Sequence, residues 1–135
     1  MNALNILVLA GGPSAEREVS FMGGQNVAGA LVRYGHLVTF SDIGPDDLSA
    51  LDRPGVDVVF PVLHGPWGED GQLQKILDQR GLAYPGSGPS ASALAMNKVA
   101  SKAAFRAERL PTPAWRVLPR WPGRWDGELP AVVKG

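Results

Sequence analysis

The chain has 135 residues, of which 44% are apolar and 19% charged, so it has the size and composition of one globular domain rather than of a disordered segment. Thirteen basic side chains balance thirteen acidic ones, and a neutral chain lacks the overall positive field expected of a protein that binds nucleic acid or an anionic membrane. The absence of cysteine excludes disulfides and thiolate metal sites.

The chain begins with a short apolar segment. Asn5 to Ala10 (N-I-L-V-L-A) ends at two glycines, as expected of a parallel strand buried on both faces. The segment is too short to cross a bilayer, and no basic stretch precedes it, so we expect a cytoplasmic protein without a signal peptide.

Strand and helix patterns then alternate, which predicts an α/β fold with an open, mostly parallel sheet in three layers and helices on both faces. The predicted helices are one that ends at Gly35, a short one at 46–50, one around Leu73 to Leu77, and one over 90–109 in two pieces near Met96 and Asn97. The predicted further strands are 36–41, 57–63, 82–84 and 129–134.

Two polar loops follow predicted strands. G-G-P-S-A-E-R-E-V-S occupies 11–20, and H-G-P-W-G-E-D-G occupies 64–71. Ligands of open parallel sheets bind beyond the carboxyl ends of the strands, so both loops are candidates for a binding site. The first loop is not a G-x-G-x-x-G fingerprint, which argues against a dinucleotide.

Each loop also has a purely structural interpretation. Glu16 and Glu18 could simply favour the positive end of a helix dipole, and Glu69 and Asp70 could cap the next helix. The functional alternative is that one carboxylate of the first loop binds a substrate ammonium. The position of His64 favours the functional interpretation of the second loop, because His64 lies directly between a predicted buried strand and a glycine.

Four segments, in this order and at this spacing, resemble the D-alanine–D-alanine ligases: the two loops, P-G-S-G-P-S-A-S-A-L-A-M-N-K at 85–98, and V-V-K at 132–134. The resemblance implies a Rossmann-like pre-ATP-grasp domain over 1–110, and a connector leading to the start of the central ATP-grasp domain over 111–135. It also implies ATP-dependent synthesis of D-alanyl-D-alanine through a D-alanyl phosphate, for peptidoglycan and the bacterial cell wall.

The same resemblance assigns roles to residues. Glu16 would hold the ammonium of the first D-alanine, Val19 would lie near its methyl group, and His64 would act beside its carboxyl group. Ser87 is a further candidate of the same region. Lys98 and Lys134 would reach the ATP phosphates, although an isolated lysine is more often a solvated surface side chain.

ATP and Mg²⁺ are the expected cosubstrate and metal. The magnesium ligands, the family's flexible loop over the phosphates and an arginine near the reaction centre are expected beyond residue 135, so the fragment by itself is expected to be inactive. A homodimer is compatible with the sequence. Two positions depart from the family pattern: Asn97 replaces an aspartate, and Gly135 a proline.

Two other functions are compatible with the sequence. One is a related ATP-grasp ligase, such as a D-alanine–D-lactate ligase. The other is a non-catalytic interaction domain in which Trp115, Trp121 and Trp125 form an apolar contact patch.

Overall fold

The computed structural model describes residues 2–120 and 123–134. Its regular elements are, in chain order, β1 (Asn5–Gly11), α1 (Arg17–Arg33), β2 (Leu37–Ile43), a short 3₁₀ helix (Ser49–Asp52), β3 (Val58–Pro61), α2 (Gln72–Gln79), α3 (Pro89–Met96) and α4 (Lys98–Ala107).

The three strands form a parallel sheet in the order β2-β1-β3. Central strand β1 pairs on both sides, with Val8 opposite Phe40 of β2 and Phe60 of β3. Residues 6–10 of β1 are no more than 6% exposed. The continuous apolar run is thus explained by burial of both faces of the strand, and the predicted parallel α/β sheet is confirmed.

Helices cover both faces of the sheet. On one face α1 approaches so closely that a Cβ built on Gly24 would lie 2.7 Å from the Phe40 ring and 3.0 Å from the Ala10 side chain. On the other face, Leu7 and Leu9 pack with Leu73 and Leu77 of α2 in one buried cluster. This confirms the predicted three-layer arrangement.

The predicted break in the helix over 90–109 is confirmed at Asn97. Its backbone is extended, with φ −86° and ψ 100°, and its side-chain oxygen accepts a hydrogen bond from the Ala100 N–H at 3.0 Å. Asn97 therefore ends α3 and caps α4. Asparagine and aspartate are comparable N-caps, so the departure from the family pattern at this position is compatible with the same local structure.

Three predicted elements differ from the structure. Segment 82–84 is not a strand, since a single backbone hydrogen bond, from the Val59 N–H to the Ala83 oxygen at 2.8 Å, joins it to β3. The helix predicted at 46–50 is instead the 3₁₀ turn at 49–52, because Gly44 and Asp47 pair with each other first. Segment 129–134 has no regular structure, and Val132 is 80% exposed. Valine favours strands, but within the described part of the chain no strand pairs with this segment.

None of the helices in the described ranges is long and apolar enough to span a membrane.

Candidate functional site

The candidate site lies at the carboxyl edge of the sheet, where β1 and β3 end side by side. We call residues 11–16 the first loop and residues 64–71 the second loop. The first loop leads from β1 into α1, and the second leads from the β3 region into α2. Because β1 and β3 are parallel neighbours, both loops emerge at the same edge.

The two loops touch each other. A Cβ on Gly65 would lie 3.2 Å from the Ser14 Cβ and 3.6 Å from Glu16 Oε2. A Cβ on Gly12, where φ is +81°, would lie 2.8 Å from a methyl group of Leu63. Glycine at positions 12 and 65 therefore allows the close approach that places the Glu16 carboxylate beside the His64–Gly65 step.

Glu16 is the residue that precedes α1, at the N-cap position, but its side chain makes no capping hydrogen bond. Its backbone N–H donates to Ser14 Oγ at 3.0 Å, and the residue is exposed. Glu18, in the first turn of the helix, supplies an acid at the positive end of the dipole. The Glu16 carboxylate is thus not used as a cap and stays available to a ligand.

His64 is half-buried, and it follows Leu63, which is 5% exposed. The N–H of the next residue, Gly65, donates to Glu69 Oε2 at 2.6 Å. Glu69 therefore closes the second loop rather than capping α2. Since Glu16 Oε2 also lies near Gly65, two carboxylates flank this step, an arrangement that suits a small ligand carrying a positive charge.

A buried tryptophan anchors the second loop. Trp67 is 5% exposed and belongs to the core cluster, and its backbone has the strained φ of +70°. Asp70 holds this conformation by accepting the Trp67 N–H at 2.9 Å, and it also accepts the N–H of Gln72, the first residue of α2, at 3.1 Å. The predicted capping role of Asp70 is present, one residue before the N-cap Gly71.

Asp70 should make the stability of this loop depend on pH. Burial tends to raise the pKa of its carboxyl group, but hydrogen bonds from the Trp67 N–H and from Gln72 outweigh it, so the pKa lies below its ordinary value. A carboxyl group with a lowered pKa stabilises the fold above about pH 4, and this contribution is lost as the pH falls through the folded-state pKa.

We therefore expect Asp70→Ala to destabilise the chain by about 1 kcal/mol near neutral pH, and by less at acidic pH. Thermal unfolding of both proteins between pH 7 and pH 2.5 measures the difference. Asp46→Ala, which removes the same charge from an exposed position, is the control. A melting-temperature gap that stays constant with pH would contradict the assignment.

The structure places the other predicted site residues as follows. Val19 is 51% exposed and lies on α1, three residues after Glu16. Ser87 is exposed, and in the described part of the chain no hydrogen bond joins it to Glu16 or His64. The start of α3 does reach the second loop, because a Cβ on Gly71 would lie 3.0 Å from the Pro89 carbonyl carbon.

The two predicted phosphate-binding lysines are exposed. Lys98 is the first residue of α4, and Lys134 lies in the irregular C-terminal segment. Their roles stay predictions. Within residues 2–120 and 123–134, three or more histidine or acidic side chains nowhere group together in a way that could hold a metal ion.

Two of the three tryptophans of the alternative contact patch lie in the described residues, and both are only partly accessible. Trp115 and Trp125 are both half-buried. The Arg116 guanidinium lies 4.6 Å from the centre of a Trp125 ring, and Trp125 Nε1 donates to the Glu128 oxygen at 3.0 Å. Trp121 lies outside the described residues, as does Gly135.

Two residues of segment 11–20, Ser20 and Arg17, were not predicted from the sequence to have a role, although their side chains hold the site in place. Ser20 is fully buried, and its hydroxyl joins the ends of β1 and β3. Arg17 donates to the Gly12 oxygen at 3.1 Å, pairs with Asp42 and lies over the Phe21 ring. The hydrogen bond to Asp42 raises the Arg17 pKa. The sequence did contain one signal for a role of Ser20, which lies one helical turn after Glu16 and therefore on the same face of the helix.

Comparison with known proteins agrees with the architecture. Residues 46–87, which include the second loop, match a family model described as D-ala D-ala ligase N-terminus. The D-alanine–D-alanine ligase of Gloeobacter violaceus is 51% identical over 139 residues, covering 97% of this chain and 46% of the relative. That of Synechococcus sp. (strain JA-2-3B'a(2-13)) is 48% identical over 132 residues, covering 94% and 38%.

Solved structures give the same result. The ligase of Coxiella burnetii superposes with a TM-score of 0.76 at 29% identity, covering 89% of this chain and 46% of that one. The Bacillus anthracis ligase complexed with ATP gives a TM-score of 0.72 at 32% identity, covering 86% and 38%. The chain spans less than half the length of these relatives. In sequence and fold, the chain corresponds to the N-terminal part of the D-alanine–D-alanine ligases that it matches.

Proposed function

We propose that this chain is the D-alanine-binding part of an ATP-dependent D-alanine–D-alanine ligase. The observation that carries the proposal is the contact between the two loops, which puts the Glu16 carboxylate beside the His64–Gly65 step. An amino acid is a zwitterion, so its site needs a negative group for the ammonium and a donor or positive group for the carboxylate. Glu16 and His64 are groups of these two kinds at one edge of the sheet.

In this proposal Glu16 accepts hydrogen bonds from the ammonium of the first D-alanine, and Val19 lies toward its methyl group. His64 acts beside the carboxyl group, orienting it and stabilising its charge. The carboxylate oxygen then attacks the γ-phosphorus of ATP and ADP leaves. The amine of a second D-alanine attacks the resulting acyl phosphate, inorganic phosphate leaves, and the dipeptide forms. Positioning and electrostatics would provide most of the rate acceleration.

Lys98 and Lys134 are proposed to reach the phosphates of ATP. The structure of the Bacillus anthracis relative complexed with ATP supports ATP as the cosubstrate. Mg²⁺ would be bound by the part of the ligase that, in the relatives, lies beyond the region that this chain matches. By its resemblance to the family, the product would be the D-alanyl-D-alanine of peptidoglycan, made in the cytoplasm, and a homodimer would be compatible with this function.

The test compares two proteins. The first is the 135-residue chain alone. The second, which we call the completed ligase, is this chain followed by the part of the Gloeobacter violaceus ligase beyond the matched region. Phosphate release in the presence of D-alanine, ATP and Mg²⁺ is measured for both, and the dipeptide is identified by mass spectrometry.

We expect D-alanine-dependent phosphate release and dipeptide from the completed ligase, and neither from the chain alone, because phosphoryl transfer needs groups on several sides of the γ-phosphate. The unmodified Gloeobacter ligase is the positive control. A folded but inactive completed ligase would argue against the proposed function, and turnover by the chain alone would show that the site is complete without further residues.

A further inference from the structure

Ser20 is a fully buried polar residue in a helix, and its hydroxyl makes two hydrogen bonds across the fold. It accepts from the Gly11 N–H at 2.8 Å and donates to the Val62 oxygen at 2.8 Å. Gly11 is the last residue of β1 and the first residue of the first loop, and Val62 comes two residues before His64. We propose that Ser20 is a positioning residue that sets the distance between Glu16 and the His64–Gly65 step.

The bonds around Ser20 link three segments that lead into the site. Its own N–H donates to the Glu16 oxygen at 2.9 Å, within the first turn of α1. Val62 in turn donates its N–H to the Leu9 oxygen at 2.8 Å, on β1. One hydroxyl thus ties together the strand before the first loop, the helix that carries Glu16 and the segment that carries His64.

A hydroxyl is the group that this position requires. The Gly11 N–H needs an acceptor and the Val62 carbonyl needs a donor, and a serine oxygen provides both at once. Ser20 is 0% exposed, so bulk water does not reach the site to replace these bonds. Gly24, one turn later, lets α1 approach the sheet closely enough for the short serine side chain to reach both partners.

Alanine at position 20 would leave one buried donor and one buried acceptor without partners. The Gly11 N–H and the Val62 carbonyl would find other partners only if their segments moved. This movement would change the distance between the two loops. This inference rests on the proposed function, because it concerns how the D-alanine site is held in shape. A displacement of about 1 Å in an active site lowers the rate of an enzyme by up to about a hundredfold.

The first test is kinetic and uses the completed ligase. Ser20→Ala should raise the apparent KM for D-alanine by about tenfold or more, with the KM for ATP within about twofold of the unsubstituted enzyme. Leu77→Ala is the matched control, since Leu77 is equally buried but lies in the α2 core and makes no side-chain hydrogen bond. It should lower the melting temperature at least as much and leave both KM values within about twofold.

The second test is spectroscopic and uses the 135-residue chain, so it does not depend on catalysis. In ¹⁵N-labelled protein, Ser20→Ala should speed hydrogen exchange at the Gly11 amide and shift the amide signals of Gly65 and Glu69, across the contact between the loops. Leu77→Ala should leave the Gly11 exchange rate unchanged.

The outcomes separate the two proposals. Equal KM changes in Ser20→Ala and Leu77→Ala would overturn the positioning role, as would unshifted Gly65 and Glu69 amides in Ser20→Ala. An inactive completed ligase would count against the proposed function alone, and the amide shifts would still decide whether Ser20 couples the loops.

Discussion

Glu16→Gln in the completed ligase is expected to lower kcat/KM for D-alanine by about a hundredfold, because it removes the charge that is proposed to face the substrate ammonium. A hydrogen bond to a charged group contributes about 1.5–3 kcal/mol, and the upper value corresponds to about a hundredfold. The KM for ATP should change by less than about twofold, since the phosphates are expected to bind elsewhere. Initial rates at varied D-alanine and varied ATP measure both quantities.

Glu18→Gln is the matched control for this substitution. It removes the same charge two residues away, in the first turn of α1, where the carboxylate is exposed. We expect little change in kcat/KM for D-alanine. Equal losses for D-alanine and ATP in Glu16→Gln would mean that Glu16 has a structural role, and equal losses in both variants would mean that only the general negative potential matters.

The largest expected effect on stability comes from Gly71→Ala. Gly71 has a φ of +93°, and its Cβ would meet the backbone carbonyl of Pro89, 3.0 Å from the carbon atom and closer still to the oxygen. A side chain there is therefore strained and also forces α3 away from the second loop. The two effects together should destabilise the chain by about 3 kcal/mol or more, which lowers the melting temperature by about 10 °C.

Gly81→Ala separates these two causes. Gly81 also has a positive φ, +66°, but nothing lies within 4 Å of a Cβ built there. Its substitution should cost only the backbone strain, about 1 kcal/mol. Circular dichroism melts of the two variants provide the comparison. Similar melting temperatures for both would show that α3 does not pack on the second loop as described.

Much of this fold is readable from the sequence, because buried elements have strong periodic signals. The apolar run of β1 predicts a parallel strand buried on both faces, and Asn97 marks the break between α3 and α4. The predictions that were wrong concern segments with few tertiary contacts. Val132 and Val133 have strand propensity, yet a strand exists only with a partner, and none pairs with this segment among the described residues.

The site was only partly predictable for a related reason. Neighbouring parallel strands bring the loops that follow them to one edge, so the approach of Glu16 and the second loop follows from the pairing of β1 with β3. The roles of Ser20 and Glu69 do not, because they depend on which backbone groups each side chain reaches after the chain has folded. The positive φ of Trp67 likewise has no local signal, since bulky residues rarely adopt it.

A double-mutant cycle provides the most direct measurement of whether the two loops bind one substrate. Values of kcat/KM for D-alanine are determined in the completed ligase for Glu16→Gln, His64→Gln and the double variant. If both side chains contact the same D-alanine, the two losses are not independent, and the coupling energy should be at least about 1 kcal/mol. Losses that add to within about 0.5 kcal/mol would contradict the shared site.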